Sequence, residues 1–262
     1  MPRERRLVNA AQARRRARFG DLYAAEWIKL WSLRSTPAVL GVSVTFTLYL
    51  VVRNGDQGLP IEPNHAAFDG PSWVLAMISA GMIGALSLVG EHTSGLIRTT
   101  FIAVPDRRRV AVAKAAVLST VLAVAAVSTA VGGLILAFAR EEGPGRALTD
   151  ATSLRAVAAS AVLLPVCALA GMAFGAVLRH AAATSFAVCT LLGFGPLLIR
   201  PGGNRVGTEL ANLMPYYAWG RLASGGRYSS GTMTATTACW TLAAWAALSI
   251  FTAAVLLDRR DV

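Results

Sequence analysis

Residues Gly90–Lys114, GEHTSGLIRTTFIAVPDRRRVAVAK, form a polar interruption between two apolar runs. The stretch opens on Glu91, crosses a short amphipathic segment, breaks at Pro105 and reaches Arg107, Arg108 and Arg109 just before the next apolar run. Charge-free runs of about 16 to 25 residues recur on both sides of it. A membrane span needs roughly 20 apolar residues. At 262 residues, 55% hydrophobic, 15% charged and with a mean hydropathy of +0.53, the chain is more apolar than a soluble domain of its length. The alternative, an unusually apolar soluble helical protein, is disfavoured by those long runs.

Working outward, the sequence predicts an all-α membrane protein with spans over about 37–52, 72–90, 111–139, 155–178, 181–199 and 234–257. The first is short, at about 16 residues, and Arg53 can snorkel to lengthen it. Pro196 closes the fifth, and the Arg179–His180 connection makes the fourth and fifth spans antiparallel neighbours. Pro165 predicts a local kink in the fourth span. With both termini on one side, that side and the 91–114 loop hold 17 of the 25 basic residues, and the other side holds eight. The 14 acidic residues divide seven and seven, leaving +10 against +1. The positive-inside rule places both termini and the loop in the cytoplasm; the expected location is a bacterial cytoplasmic membrane.

Residues 1–18 read as a disordered basic tail. An arginine run with no apolar segment before Pro37 argues against a cleaved signal peptide. From 19 to 35, Phe19, Leu22, Tyr23, Trp27, Leu30 and Trp31 recur at helical spacing, with Asp21, Glu26, Lys29 and Arg34 mostly elsewhere on the wheel. This predicts an amphipathic helix lying in the membrane interface, or else a plain cytoplasmic extension of the first span. Ser35 or Thr36 can cap the next helix, with Pro37 in its first turn. Residues 36–262 then form the transmembrane domain, with a cytoplasmic loop over 91–110.

Two further features are local. Gly171 and Gly175 form a small-xxx-small pair, suited to close helix packing within the subunit or to a dimer seam. In the 200–233 segment, NLMPYYAWGRLASGG with Tyr216, Tyr217 and Trp219 predicts a short re-entrant or interface-lying helix, or an aromatic girdle on a loop.

Several chemistries lack their residues. No predicted span carries a charge in its central portion, which argues against a proton- or ion-coupled transporter. His65, His92 and His180 are scattered over loops, and Cys167, Cys189 and Cys239 sit in apolar runs without a Cys-x-x-Cys pair, so no metal site is expected. No nucleophile elbow or zinc helix is present. A nucleic-acid partner is not expected, because the positive charge follows the membrane topology. Only two of the 25 basic residues are lysines, Lys29 and Lys114, a scarcity assigned to genome composition. Neither sits in a phosphate-binding Gly-x-x-x-x-Gly-Lys-Ser/Thr loop, so any ATP would be bound by another polypeptide.

Over nearly its whole length the chain resembles the permease subunit of ABC-2 type ABC transporters. AEWIKLWSLRSTP is similar to a segment common in actinobacterial members, through Glu26, Lys29, Leu30, Arg34, Ser35 and Pro37. The loop is similar through Glu91, Gly95, Ile97, Arg98, Pro105, Arg107, Arg108 and Lys114, and departs at Leu96, where many relatives have Thr, and at Asp106, where a basic residue is common. The resemblance implies a type V exporter-like permease without cofactors of its own. It would work with a second permease copy or a sister permease, with membrane lipid around it and a separate ABC-type ATPase using ATP and magnesium. Glu91–Val104 would be the coupling helix, with Leu96, Ile97, Phe101, Ile102 and Val104 as apolar anchors, Glu91, Arg98 and Arg107–Arg109 as polar contacts, and Pro105 as its stop. Arg107–Lys114 would anchor the third span at the headgroups. The helix bearing Glu26, Trp27, Lys29, Leu30, Trp31 and Arg34 would lie beside it. A charge-free path suits an amphipathic or lipophilic cargo, with no substrate residue assigned. The competing readings are an amphipathic loop resting on lipid, a membrane-embedded scaffold that docks a cytoplasmic factor, and an intramembrane hydrolase, for which no catalytic arrangement is found.

Overall fold

A computed structural model describes residues 18–55, 63–93, 106–141, 150–199, 201, 204–225 and 232–259. All regular structure among them is helical. Helix α1 (Phe19–Ser32) is separated by a turn at Leu33 and Arg34 from α2 (Ser35–Gly55). The short α3 (Pro63–Ala67) precedes α4 (Gly70–Thr93), and α5 (Arg107–Glu141) and α6 (Ala151–Leu178) follow. The next span comprises α7 (Ala181–Val188), a π turn over Cys189–Phe194, and α8 (Gly195–Leu198). Two short helices, α9 (Arg205–Asn212) and α10 (Pro215–Ala223), lead to α11 (Ala235–Arg259).

Six helices are long and apolar enough to cross a membrane, and the chain is a multi-pass membrane protein. The predicted spans recur, the first four with longer ends, the fifth one residue shorter and the last starting one residue later. The first, expected at about 16 residues, has 21 because Ser35 and Thr36 join the helix at its start and Arg53, Asn54 and Gly55 at its end. Pro37 falls within its first turn, where a missing N–H has no intrahelical partner to lose. The fourth span is one continuous helix through Pro165. The fifth passes Pro196, which does not close it, and ends at Leu198, one residue short of its expected end. A wide turn with the Gly195 N–H bonded to the Thr190 carbonyl takes the helix past the proline to Leu198. The Tyr217 hydroxyl shares its proton between the carbonyls of Pro196 and Ile199, at 2.8 and 2.6 Å.

The centre of the bundle is α4 against α6, with α5 on the other flank of α6. Between helices in lipid there is little hydrophobic driving force, so contact depends on how closely backbones approach. Here glycine decides it: a Cβ on Gly84 would lie 1.8 Å from the Ala168 carbonyl oxygen, and one on Gly171 1.9 Å from that of Gly81. The Gly171 and Gly175 pair therefore packs within the subunit, Gly175 facing Ala85.

At the end of the bundle away from α1, the described residues of the 200–233 segment form two helices rather than one. All side chains of α10 from Pro215 to Gly220 are buried. Trp219 lies 5.3 Å, centroid to centroid, from Trp73 and donates its indole N–H to Ser160 Oγ at 2.9 Å, and Trp73 stacks on Phe68. An indole N–H buried among apolar groups needs such a partner, which is why a serine stands in the wall of α6.

Candidate functional site: a buried ring of four charges

Helix α1 turns a stripe of three residues, Leu22, Glu26 and Leu30, towards the bundle. Their spacing of four puts them on one face, so the carboxylate of Glu26 is held between two leucines and against α5. Beside this stripe runs a ladder of Tyr23, Trp27 and Trp31, with ring centroids 6.2 and 6.1 Å apart. Trp27 and Trp31 are 38% and 42% exposed, as suits rings meeting a headgroup layer.

Glu26 meets three other charges. Lys29 Nζ lies 2.7 Å from Glu26 Oε1 and 3.1 Å from Glu91 Oε1. Lys114 Nζ lies 2.9 Å from Glu91 Oε1 and 2.5 Å from Glu26 Oε2. The signs alternate around a closed ring with no net charge. Its side chains are 5% exposed at Glu26, 10% at Glu91, 7% at Lys114 and 33% at Lys29, so only Lys29 opens to the surroundings. Lys114 also donates to the Ser87 carbonyl at 3.4 Å, which gives each of its three N–H bonds a partner.

The ring joins three elements. Glu26 and Lys29 come from α1, Glu91 from the last turns of α4 and Lys114 from the early turns of α5. Burial raises the pKa of Glu26, but Lys114 and then Lys29 more than offset it and hold the carboxyl below its ordinary range. For Lys29, burial acts downward while Glu26 and Glu91 push upward, and the ammonium titrates above its ordinary value. Each shift favours the charged form, as opposite charges within a few ångströms require.

Lysine suits these two positions because a compact ammonium with three tetrahedral donors can bridge two carboxylates and a carbonyl. A planar guanidinium spreads its donors in one plane. The chain uses arginine almost everywhere else, and both of its lysines meet in this ring. Their scarcity had no structural meaning in the sequence; the structure gives it one.

Of the expected coupling residues, Glu91 is present but turned inward against Lys114 and Lys29. Gly95, Leu96, Ile97, Arg98, Phe101, Ile102 and Pro105 lie outside the described residues. Of the interface-helix residues, Glu26 and Lys29 belong to the buried face rather than the solvent face, Leu30 is buried with them, Trp27 and Trp31 face outward, and Arg34 is exposed in the turn before α2. The expected headgroup anchor at Arg107–Lys114 divides in two. Arg108 and Arg109 are exposed, whereas Lys114 is buried because α5 turns it towards Glu26 and Glu91. Asp106 caps α5: the Arg109 N–H reaches its Oδ1 at 3.3 Å, and Arg109 Nε its Oδ2 at 3.1 Å. An acidic cap compensates three arginines at a helix N-terminus, where cations are unfavourable.

Next to the ring lies a cavity of about 230 Å³ walled by Leu30, Leu33, Leu86, Val117 and Leu118. Among the described residues no group of three or more His, Cys, Asp or Glu side chains is placed to hold a metal ion. Neither a family model nor a curated protein matches the chain.

Proposed function

We propose that this chain is the membrane subunit of an ATP-driven exporter of ABC-2 type, moving an amphipathic or lipophilic cargo and powered by a separate ATPase subunit. The observation that carries the proposal is the charge ring, which ties α1 to the two helices on either side of residues 94–105. A force applied to α1 or to residues 94–105 would act on α4 and α5 together, because pulling any member out of the ring exposes an uncompensated buried charge. The sequence resemblance in the same two segments supports it. Both termini and the loop would face the cytoplasm, in keeping with the excess of basic residues on that side.

The test is stimulation of a separate ABC-type ATPase subunit by the permease reconstituted with it. Phe101→Asp and Gly95→Pro should each abolish stimulation and weaken co-purification. Glu91→Gln should leave co-purification intact while uncoupling ATP hydrolysis from transport. Normal stimulation by both loop variants would remove the loop from its role. Firm binding of a cytoplasmic factor with no transport of any lipophilic compound would favour the scaffold instead.

A further inference from the structure

Helix α9, at the end of the bundle away from α1, meets its surroundings on three sides. At about 100° per residue, Val206, Leu210 and the following Leu213 fall within about 60° of arc. All three are exposed, at 66%, 45% and 63%. Ala211, about a third of a turn from that edge, is fully buried against the bundle. Arg205 and Glu209, on the remaining side, are exposed. An apolar edge without protein cover beside a polar edge is the pattern of a helix lying in a membrane interface.

The last span sets the depth of that edge. The Trp245 indole donates to the Leu213 carbonyl at 2.7 Å. The Thr241 hydroxyl, which also bonds within its own helix, reaches the Asn212 carbonyl at 3.2 Å. Thr241 and Trp245 stand six and ten residues beyond Ala235, where the span begins. At 1.5 Å per residue they lie about 9 and 15 Å along it, within a hydrocarbon layer about 30 Å thick. The Leu213 and Met214 N–H groups bond to the carbonyls of Leu210 and Ala211 at 3.2 and 3.0 Å. Each carbonyl from Leu210 to Leu213 therefore has a protein partner and none depends on water, as a helix end in hydrocarbon requires.

We infer that α9 is sunk edge-on into the leaflet remote from α1, with lipid acyl chains against Val206, Leu210 and Leu213 and with Arg205 and Glu209 at the headgroups. Trp245 and Thr241 hold its end at that depth. A second copy of the chain fits this edge less well: a stable contact between proteins covers about 800 Å² on each partner, and three side chains on one short helix supply only a small part of that. The inference rests on the membrane-spanning fold and not on the exporter assignment, and it is tested without an ATPase.

Nitroxide labels are placed singly at Val206→Cys, Glu209→Cys and Leu210→Cys in a Cys189→Ala/Cys239→Ala background, Cys167 being fully buried. The full chain is reconstituted in dioleoylphosphatidylcholine vesicles, and collisions of each label with oxygen, which enters the acyl layer, are compared with those of an aqueous nickel chelate. Oxygen should dominate at Val206→Cys and Leu210→Cys and the chelate at Glu209→Cys, a reversal between neighbouring residues. Adding Trp245→Phe removes the deeper anchor and should shift the Leu210→Cys label towards the chelate. Chelate dominance at Val206→Cys and Leu210→Cys, exclusion of both probes with spin–spin broadening between copies, or no shift on adding Trp245→Phe would each overturn the inference. If the background variant fails to fold, the native chain decides, photo-crosslinked in vesicles by a phosphatidylcholine with a diazirine in its acyl chain. Adducts on Val206 or Leu210 are expected, and adducts confined to other segments would overturn the inference.

Discussion

Lys114 Nζ lies 2.9 Å from Glu91 Oε1, joining the start of one membrane span to the end of another at a point where both side chains are almost wholly out of solvent. The second contact of Lys114, to Glu26, brings in a helix outside the spans. An ammonium placed between two carboxylates serves as the pin of a three-helix joint.

Removing that pin should be costly. Breaking a buried ion pair from one side leaves an uncompensated charge, at a cost of about 3–5 kcal/mol. Lys114→Gln should lower the melting temperature of the purified chain accordingly. The double variant Glu91→Gln/Lys114→Gln should be more stable than the sum of its single changes predicts, because it removes one charge of each sign. Strict additivity across that double-mutant cycle would mean that the two side chains do not interact.

The joint should also set a pH window. The Glu26 pKa is depressed below its ordinary 4.5, so its stabilisation is complete above that value and is lost as the pH falls through the folded pKa. The Lys29 pKa is raised above its ordinary 10.5, so its stabilisation is complete below that value and is lost as the pH rises through the folded pKa. The melting-temperature gap between the native chain and Glu26→Gln should therefore be constant at neutral pH and close only below 4.5. A gap that persists unchanged well into acid would contradict the pairing.

The joint was only partly legible in the sequence. Hydropathy and charge located the six spans, and helical periodicity located α1, because both depend on residues close together in the chain. Periodicity then put Glu26 and Lys29 on the polar side of α1, since a charge is by default solvated. Their partners arrive from other helices, and nothing in a local pattern announces them. The one available signal was lysine itself, used twice in a chain rich in arginine.

Backbone contact between α4 and α6 gives a sharper mutational test. Gly84→Ala would place a methyl carbon 1.8 Å from the Ala168 carbonyl oxygen, and backbone on both sides leaves no flexible side chain to yield. Destabilisation of about 1–3 kcal/mol or more is expected, with loss of monodisperse protein. Gly41→Ala, with nothing within 4 Å of the added carbon, should be neutral or slightly stabilising. Comparing melting curves of the two variants checks this.

Ser160 offers a test at the other end of the bundle. Its hydroxyl accepts from Trp219 Nε1 at 2.9 Å and donates to the Ala156 carbonyl at 2.9 Å. Ser160→Ala leaves a buried indole N–H without a partner and should cost about 1–3 kcal/mol. Trp219→Phe in the Ser160→Ala background should cost less than in the native chain, since the orphaned donor is then gone. A thermal denaturation cycle over the four proteins measures the difference.

By itself the sequence located the six helices that, among the described residues, are long and apolar enough to cross a membrane, and the amphipathic helix that precedes them. A span is a property of about 20 consecutive residues and needs no distant partner. Only the tertiary structure decided which face each helix shows to its neighbours. It placed Gly84 and Gly171 against backbone rather than lipid, carried the fifth span past Pro196 on a π turn, and closed Glu26, Lys29, Glu91 and Lys114 into one ring. The physical reason is the same in each case. A buried charge or a bare backbone is stable only against a specific partner, and that partner is supplied by helices far apart in the chain.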